Sequence, residues 1–118
     1  MNARSTIEAF YKRIEARQGS EEFFADDIVF TIVTSPGRTA AGKAACIQAT
    51  ARFYASVERL NVRQLVVEGD RAAALVRYTI KPATGAPRFE SDVAEFFDVR
   101  DGRIRNFTIC FDTAPYPK

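Results

Sequence analysis

From residue 60 onward the chain repeats one theme: a strand-like segment, then a turn signal, then another strand-like segment. Residues 60–68 stop at Gly69-Asp70. Residues 72–81 stop at Pro82 and the loop 84–87. Residues 88–100 stop at Asp101-Gly102, and residues 103–112 run into a Pro-containing tail. Asp-Gly between alternating segments is a strong signal for a two-residue hairpin. Such a run of antiparallel strands must bury one face against something, and the first half of the chain supplies it.

Residues 3–17 carry Ile7, Phe10, Tyr11 and Ile14 at three- and four-residue spacing, which makes one apolar helical stripe. Gly19 suits a C-cap, and Ser20 suits the N-cap of a short turn with Glu21 and Glu22 at its positive end. Phe23 and Phe24 would pin that turn to the core. Residues 28–34 are β-branched and aromatic and read as a strand. Ser35-Pro36-Gly37 ends it, and a loop is expected up to Gly42. Residues 43–58 read as a second helix, with Ile47, Ala51, Tyr54 and Val57 as the inner stripe and Phe53 beside it. Helices first and antiparallel strands after them predict an α+β fold. One sheet face takes the helices, and the other faces water or a partner.

The chain has 118 residues, so we expect a single domain over 1–118. No apolar run approaches the roughly 20 residues that span a bilayer, and no signal-peptide pattern opens the chain. The expectation is a cytoplasmic protein with no membrane contact. There is no histidine, which excludes Ser-His, Cys-His and His-metal mechanisms. Cys46 and Cys110 are too few for a thiolate metal site; they are expected to be buried thiols, with a disulfide as the alternative. The net charge is +2 and the arginines are scattered. Without a basic stripe no nucleic-acid partner is expected, and neither a metal nor an organic cofactor is implied.

Chemistry concentrates at one position. In the third of the late strands Phe89, Ser91, Val93, Glu95, Phe97 and Val99 share a face, and the alternate residues include Glu90, Asp92 and Asp98. The first set is the more apolar and is assigned to the interior, which places Glu95 between Val93 and Phe97. Desolvation penalises its charged form and raises its pKa, as a general acid or base near neutrality requires. The alternatives are a bulge that turns Glu95 outward, or an arginine that neutralises it. Val76, Tyr78 and Ile80 share a face of their strand; Phe107, Ile109 and Phe111 share a face of the last. Phe10, Phe30 and Tyr54 can approach from the helices and first strand. This apolar set suits either a hydrophobic pocket or a filled core. Tyr54 and Tyr78 are candidates to hydrogen-bond Glu95 or a ligand.

The order of elements, with several local phrases, resembles the SnoaL-like and ketosteroid isomerase-like branch of the nuclear transport factor two-like superfamily. The phrases are Phe10-Tyr11, Phe24-Ala25-Asp26-Asp27, Gly42-Lys43-Ala44-Ala45, Glu68-Gly69-Asp70-Arg71, and Phe97 to Ile104 followed by Phe111-Asp112. The resemblance implies a cone: a curved, mostly antiparallel sheet wrapped around N-terminal helices, with a pocket at one end. It also implies a two-fold dimer through the outer sheet face, where Ala73, Leu75, Arg77, Thr79, Arg105, Thr108 and Cys110 lie. Glu95 falls where ketosteroid isomerases carry an oxyanion-binding carboxylic acid, and near a catalytic aspartate of epoxide hydrolases of this fold.

Other family positions depart from their patterns. The isomerase tyrosine aligns with Phe10, beside Tyr11. The isomerase base falls at Val33 or Thr34. The epoxide hydrolase arginine falls at Val93, and both that enzyme's second aspartate and the cyclase base fall at Ile109. The dehydratase histidines have no counterpart. No family mechanism carries over whole. The expected protein binds a small hydrophobic molecule through Phe10, Phe30, Tyr54, Val76, Tyr78, Val93, Phe97, Phe107, Ile109 and Phe111, with Glu95 as the proton-transfer group of an isomerase or cyclase. The alternatives are a ligand carrier or sensor without chemistry, and a dimeric assembly module with a filled cone.

Overall fold

The structure, a computed structural model, describes residues 1–116. Helix α1 (Ala3–Ala16) starts at Asn2, whose side chain accepts a hydrogen bond from the Ser5 backbone N–H at 2.8 Å. Ile7, Phe10, Tyr11 and Ile14 are all buried on one face, as the spacing predicts. The left-handed residue that ends α1 is Arg17 (φ 57°), not Gly19. The Arg17 side chain explains its place there: its guanidinium donates to Ala55 O at 3.3 Å, a carbonyl the next helix leaves open at its C-terminus. Gly19 instead precedes the 3₁₀ turn Ser20–Phe23, with Ser20 buried inside that turn rather than capping it.

Strand β1 (Phe24–Ile32) begins four residues earlier than the apolar run suggests, because its start carries Asp26 and Asp27 on the surface. The expected loop before Gly42 contains a short edge strand, β2 (Arg38–Ala41), paired antiparallel to β1. Helix α2 (Lys43–Ser56) follows. Its buried positions are Cys46 and Thr50, with Ile47, Phe53 and Tyr54 partly buried and Ala51 exposed. The inner stripe is therefore rotated by about one residue from the Ile47–Ala51–Tyr54–Val57 reading. Thr50 can be buried because its hydroxyl donates to Cys46 O at 2.9 Å. Val57 already belongs to β3 (Val57–Glu68), which leaves α2 without a linker.

Strands β4 (Arg71–Ile80), β5 (Phe89–Arg100) and β6 (Arg103–Phe111) complete one six-stranded curved sheet in the order β2-β1-β6-β5-β4-β3. Every pair is antiparallel except β1 with β6. The β5–β6 turn has both central residues at positive φ, Asp101 at 52° and Gly102 at 72°. This is the geometry that matches a hairpin's twist. Helix α1 lies against β3, β4 and β5, and α2 against β1 and β2. The result is the α+β architecture of a curved sheet around two helices. Among the described residues no helix is long and apolar enough to cross a membrane.

The core between sheet and helices is aromatic. Phe97 stacks on its cross-strand partner Phe107 with ring centroids 4.7 Å apart, and Phe10 meets both rings edge-on. Cys46 is buried there, and burial pushes its thiol up to about 11. Cys110 departs from the expectation of two buried thiols. It lies opposite Ala94 on the outer face of the sheet, exposed, and both cysteines are free.

Candidate functional site

Alternation along β5 runs without interruption through the ladder with β4, where Glu95 pairs with Ala74. The first slip in β5 pairing comes later, against β6, between Asp98 and Val99. Glu95 therefore points inward with Ser91, Val93, Phe97 and Val99, and it is 2% exposed. Among the described residues no lysine or arginine pairs with it; the ion pairs, such as Arg77 with Asp92, lie at the surface.

Two tyrosines meet the carboxyl instead. Tyr11, from α1, donates its hydroxyl to Oε1 at 2.5 Å, and Tyr78, from β4, donates to Oε2 at 2.9 Å. Tyr78 is fully buried, with Phe53 of α2 edge-on to its ring at 5.0 Å. Burial raises the pKa of Glu95 and the two hydrogen bonds lower it, so the carboxyl settles at about 7. The tyrosines are raised as well, away from neutrality. Burial first, and then the Glu95 charge, hold Tyr11, Tyr54 and Tyr78 well above the ordinary phenol range. They remain protonated donors while Glu95 changes state.

Beside Glu95 lies an apolar cavity of about 90 Å³. Its walls bring together Phe30, Tyr54, Val93, Phe107, Ile109 and Phe111, all expected from the sequence, with Phe53, Thr50 and Tyr116 among others. Phe10, Val76 and Phe97 are not on the wall; they lie in the packed core. Tyr78 acts on the site through Glu95 rather than by lining it. Tyr54 lines the cavity but makes no hydrogen bond to Glu95. Larger concavities are open surface features, among them one over the outer sheet face around Phe96 and one between α1 and β3. Among the described residues no group of His, Cys, Asp and Glu comes together that could hold a metal ion.

The SnoaL-like domain pattern matches residues 7–107. The chain belongs to the SnoaL-like domain family. Solved structures agree on the fold. A nuclear transport factor two-like protein of unknown function from Burkholderia pseudomallei is 21% identical, over 96% of this chain and 92% of that one, at a TM-score of 0.81. A candidate ketosteroid isomerase from Kribbella flavida is 20% identical, over 98% of this chain and 82% of its own, at 0.74. A candidate SnoaL-like polyketide cyclase from Jannaschia is 16% identical, over 96% and 87%, at 0.77. No curated protein matches the chain.

Within this SnoaL-like domain, the residues expected from the sequence leave out Ile32, Ala49, Thr50 and Phe53 on the cavity wall and two phenols at the site, Tyr11 and Tyr116. Tyr11 reads as one more member of the α1 apolar stripe, and its inward position was the available signal. Tyr116 lies in a tail without periodicity, so nothing in the pattern marked it.

Proposed function

We propose that this SnoaL-like protein binds a small, mostly apolar molecule beside Glu95 and that Glu95 transfers a proton on it, as an isomerase or cyclase requires. The observation that carries this reading is a fully buried carboxyl, poised at about 7, on the wall of an apolar cavity with no neutralising cation in the described chain. Near neutral pH such a group is available both as acid and as base. Tyr11 and Tyr78 fix both oxygens and favour the ionised form, so they position the base and stabilise it after it has lost its proton. No second titratable side chain in the cavity has a pKa near neutrality, so the reaction is one in which a single group takes and returns the proton.

Exchange of the methyl protons of acetone, a ketone smaller than benzene, in D₂O, followed by proton NMR, tests this without knowledge of the natural substrate. Wild type should accelerate exchange with a rate that rises to a plateau about a midpoint near 7. Glu95→Gln should lose roughly 100-fold or more of that acceleration. Equal rates in the two proteins would leave a ligand carrier without chemistry.

We infer a second property from the outer sheet face, a homodimer. Val66, Ala73, Phe96 and Thr108 are successive cross-strand partners on that face. Val66 is 63% and Phe96 51% exposed, large apolar side chains left in water. Arg77–Asp92 and Arg71–Asp98 flank the row with both signs of charge. A two-fold related copy would meet this apolar centre with its own and each charge with its opposite. Sedimentation should show a dimer for wild type and a monomer for Phe96→Asp. Monomeric wild type at high concentration would refute the inference.

A further inference from the structure

Past Phe111 the chain leaves the sheet and makes two tight turns. The Ala114 N–H donates to Asp112 Oδ1 at 3.0 Å and the Tyr116 N–H to Thr113 O at 3.1 Å. Residues 112–115 are exposed. Tyr116 then folds back onto the protein. Its ring lies 4.9 Å from Phe89 and 5.2 Å from Phe111 between centroids, and its hydroxyl is 2.7 Å from Ser91 Oγ. Ser91 is 2% exposed, so without that hydroxyl it would be a buried polar group in need of a partner. Tyr116 is also a wall of the Glu95 cavity, and it is itself only partly buried. It stands between the cavity and water.

Two aromatic rings and one buried hydroxyl thus form a slot that holds a phenol, and the chain's own tail supplies the phenol. The space left beside Glu95, about 90 Å³, is less than the roughly 150 Å³ of a cavity that accommodates benzene. An aromatic ligand next to Glu95 therefore needs the volume that Tyr116 fills.

We propose that this slot is a phenol-binding subsite of the cavity, that Tyr116 occupies it in the free protein, and that a planar phenolic ligand displaces Tyr116 and takes over its hydrogen bond to Ser91. The proposal rests on the reading of the Glu95 cavity as a ligand site. Displacement exchanges one ring and one hydrogen bond for equivalent ones. The tethered tail competes at an effective concentration of order mM, so a weak phenol is excluded until the tail residue is removed.

The test is calorimetric binding of p-cresol, the tyrosine side chain as a free molecule. Tyr116→Gly should bind it at one site at least tenfold more tightly than wild type. Toluene, which lacks the hydroxyl, should bind that variant about tenfold more weakly than p-cresol, the worth of one hydrogen bond. Adding Ser91→Ala should erase the preference of p-cresol over toluene. If Tyr116→Gly does not fold, Tyr116→Phe decides. It keeps the ring and gives up the bond to Ser91, so p-cresol should bind it more tightly than wild type. Equal p-cresol affinity in wild type and the folded variant, or no preference over toluene, overturns the proposal. Titration of Glu95 separates the two readings. A p-cresol site with Glu95 ionising near 4.5 keeps the slot and removes the proton transfer. A midpoint near 7 with no p-cresol site does the reverse.

Discussion

Replacing Glu95 by glutamine should change how the stability of the protein depends on pH, and in the direction opposite to that of most carboxylates. In the folded protein the carboxyl titrates at about 7; an ordinary glutamate, as in the unfolded chain, titrates near 4.5. Between those values the native state holds a proton that the unfolded chain has released. Stability falls with rising pH wherever the native state binds more protons. Wild type therefore has the full contribution of the neutral carboxyl below about 4.5 and loses it as pH climbs through about 7. At about 1.4 kcal/mol for each pH unit of separation, the whole window amounts to about 3 kcal/mol. Glutamine cannot ionise, so Glu95→Gln lacks this slope. Urea denaturation of both proteins from about pH 4 to about pH 8 provides the assay. The stability difference should shift by about 3 kcal/mol in favour of the variant across that range. Carboxylates whose pKa is lowered, such as Asp92 beside Arg77 and Glu22 beside Arg13, titrate alike in both proteins and cancel. A difference that stays constant with pH, or wild type gaining on the variant as pH rises, would refute the reasoning.

Two further outcomes follow from the same geometry. Tyr11→Phe and Tyr78→Phe each remove a hydrogen bond that favours the ionised carboxyl, so the Glu95 midpoint should rise above about 7 in both, and further for Tyr11→Phe; a fall in carboxyl NMR titrations would contradict this. Gly102→Ala should cost about 1–2 kcal/mol in chemical denaturation, because Gly102 sits at φ 72° while its added methyl would meet only Met1 Cβ at 3.8 Å. No loss of stability would mean the β5–β6 turn does not need its present backbone.

The parts of the fold that sequence reveals are those where one face is strongly apolar. The α1 stripe and the alternation of β5 each point a whole set of side chains one way, and a one-residue slip would expose them all. Glu95 is legible as an interior acid for this reason. Its partners are less so. The Tyr11 hydroxyl reaches Glu95 across 84 positions of sequence, and no periodicity on α1 separates a tyrosine that packs from one that bonds. Where the buried face is weakly apolar, the reading drifts. Helix α2 buries Cys46 and Thr50, residues of small hydrophobic weight, while alanines on the exposed side mimic an inner stripe. Strand β2 is Arg-Thr-Ala-Ala, too short and too polar to stand out, and it exists because the edge of β1 offers it hydrogen bonds. The Arg17 cap is likewise set by the carbonyl of Ala55, a tertiary partner.

A carbon-13 NMR titration of the Glu95 carboxyl, assigned by its disappearance in Glu95→Gln, bears most directly on the site. The account predicts a single midpoint at about 7. A midpoint near 4.5, the value of a carboxyl in water, would contradict it.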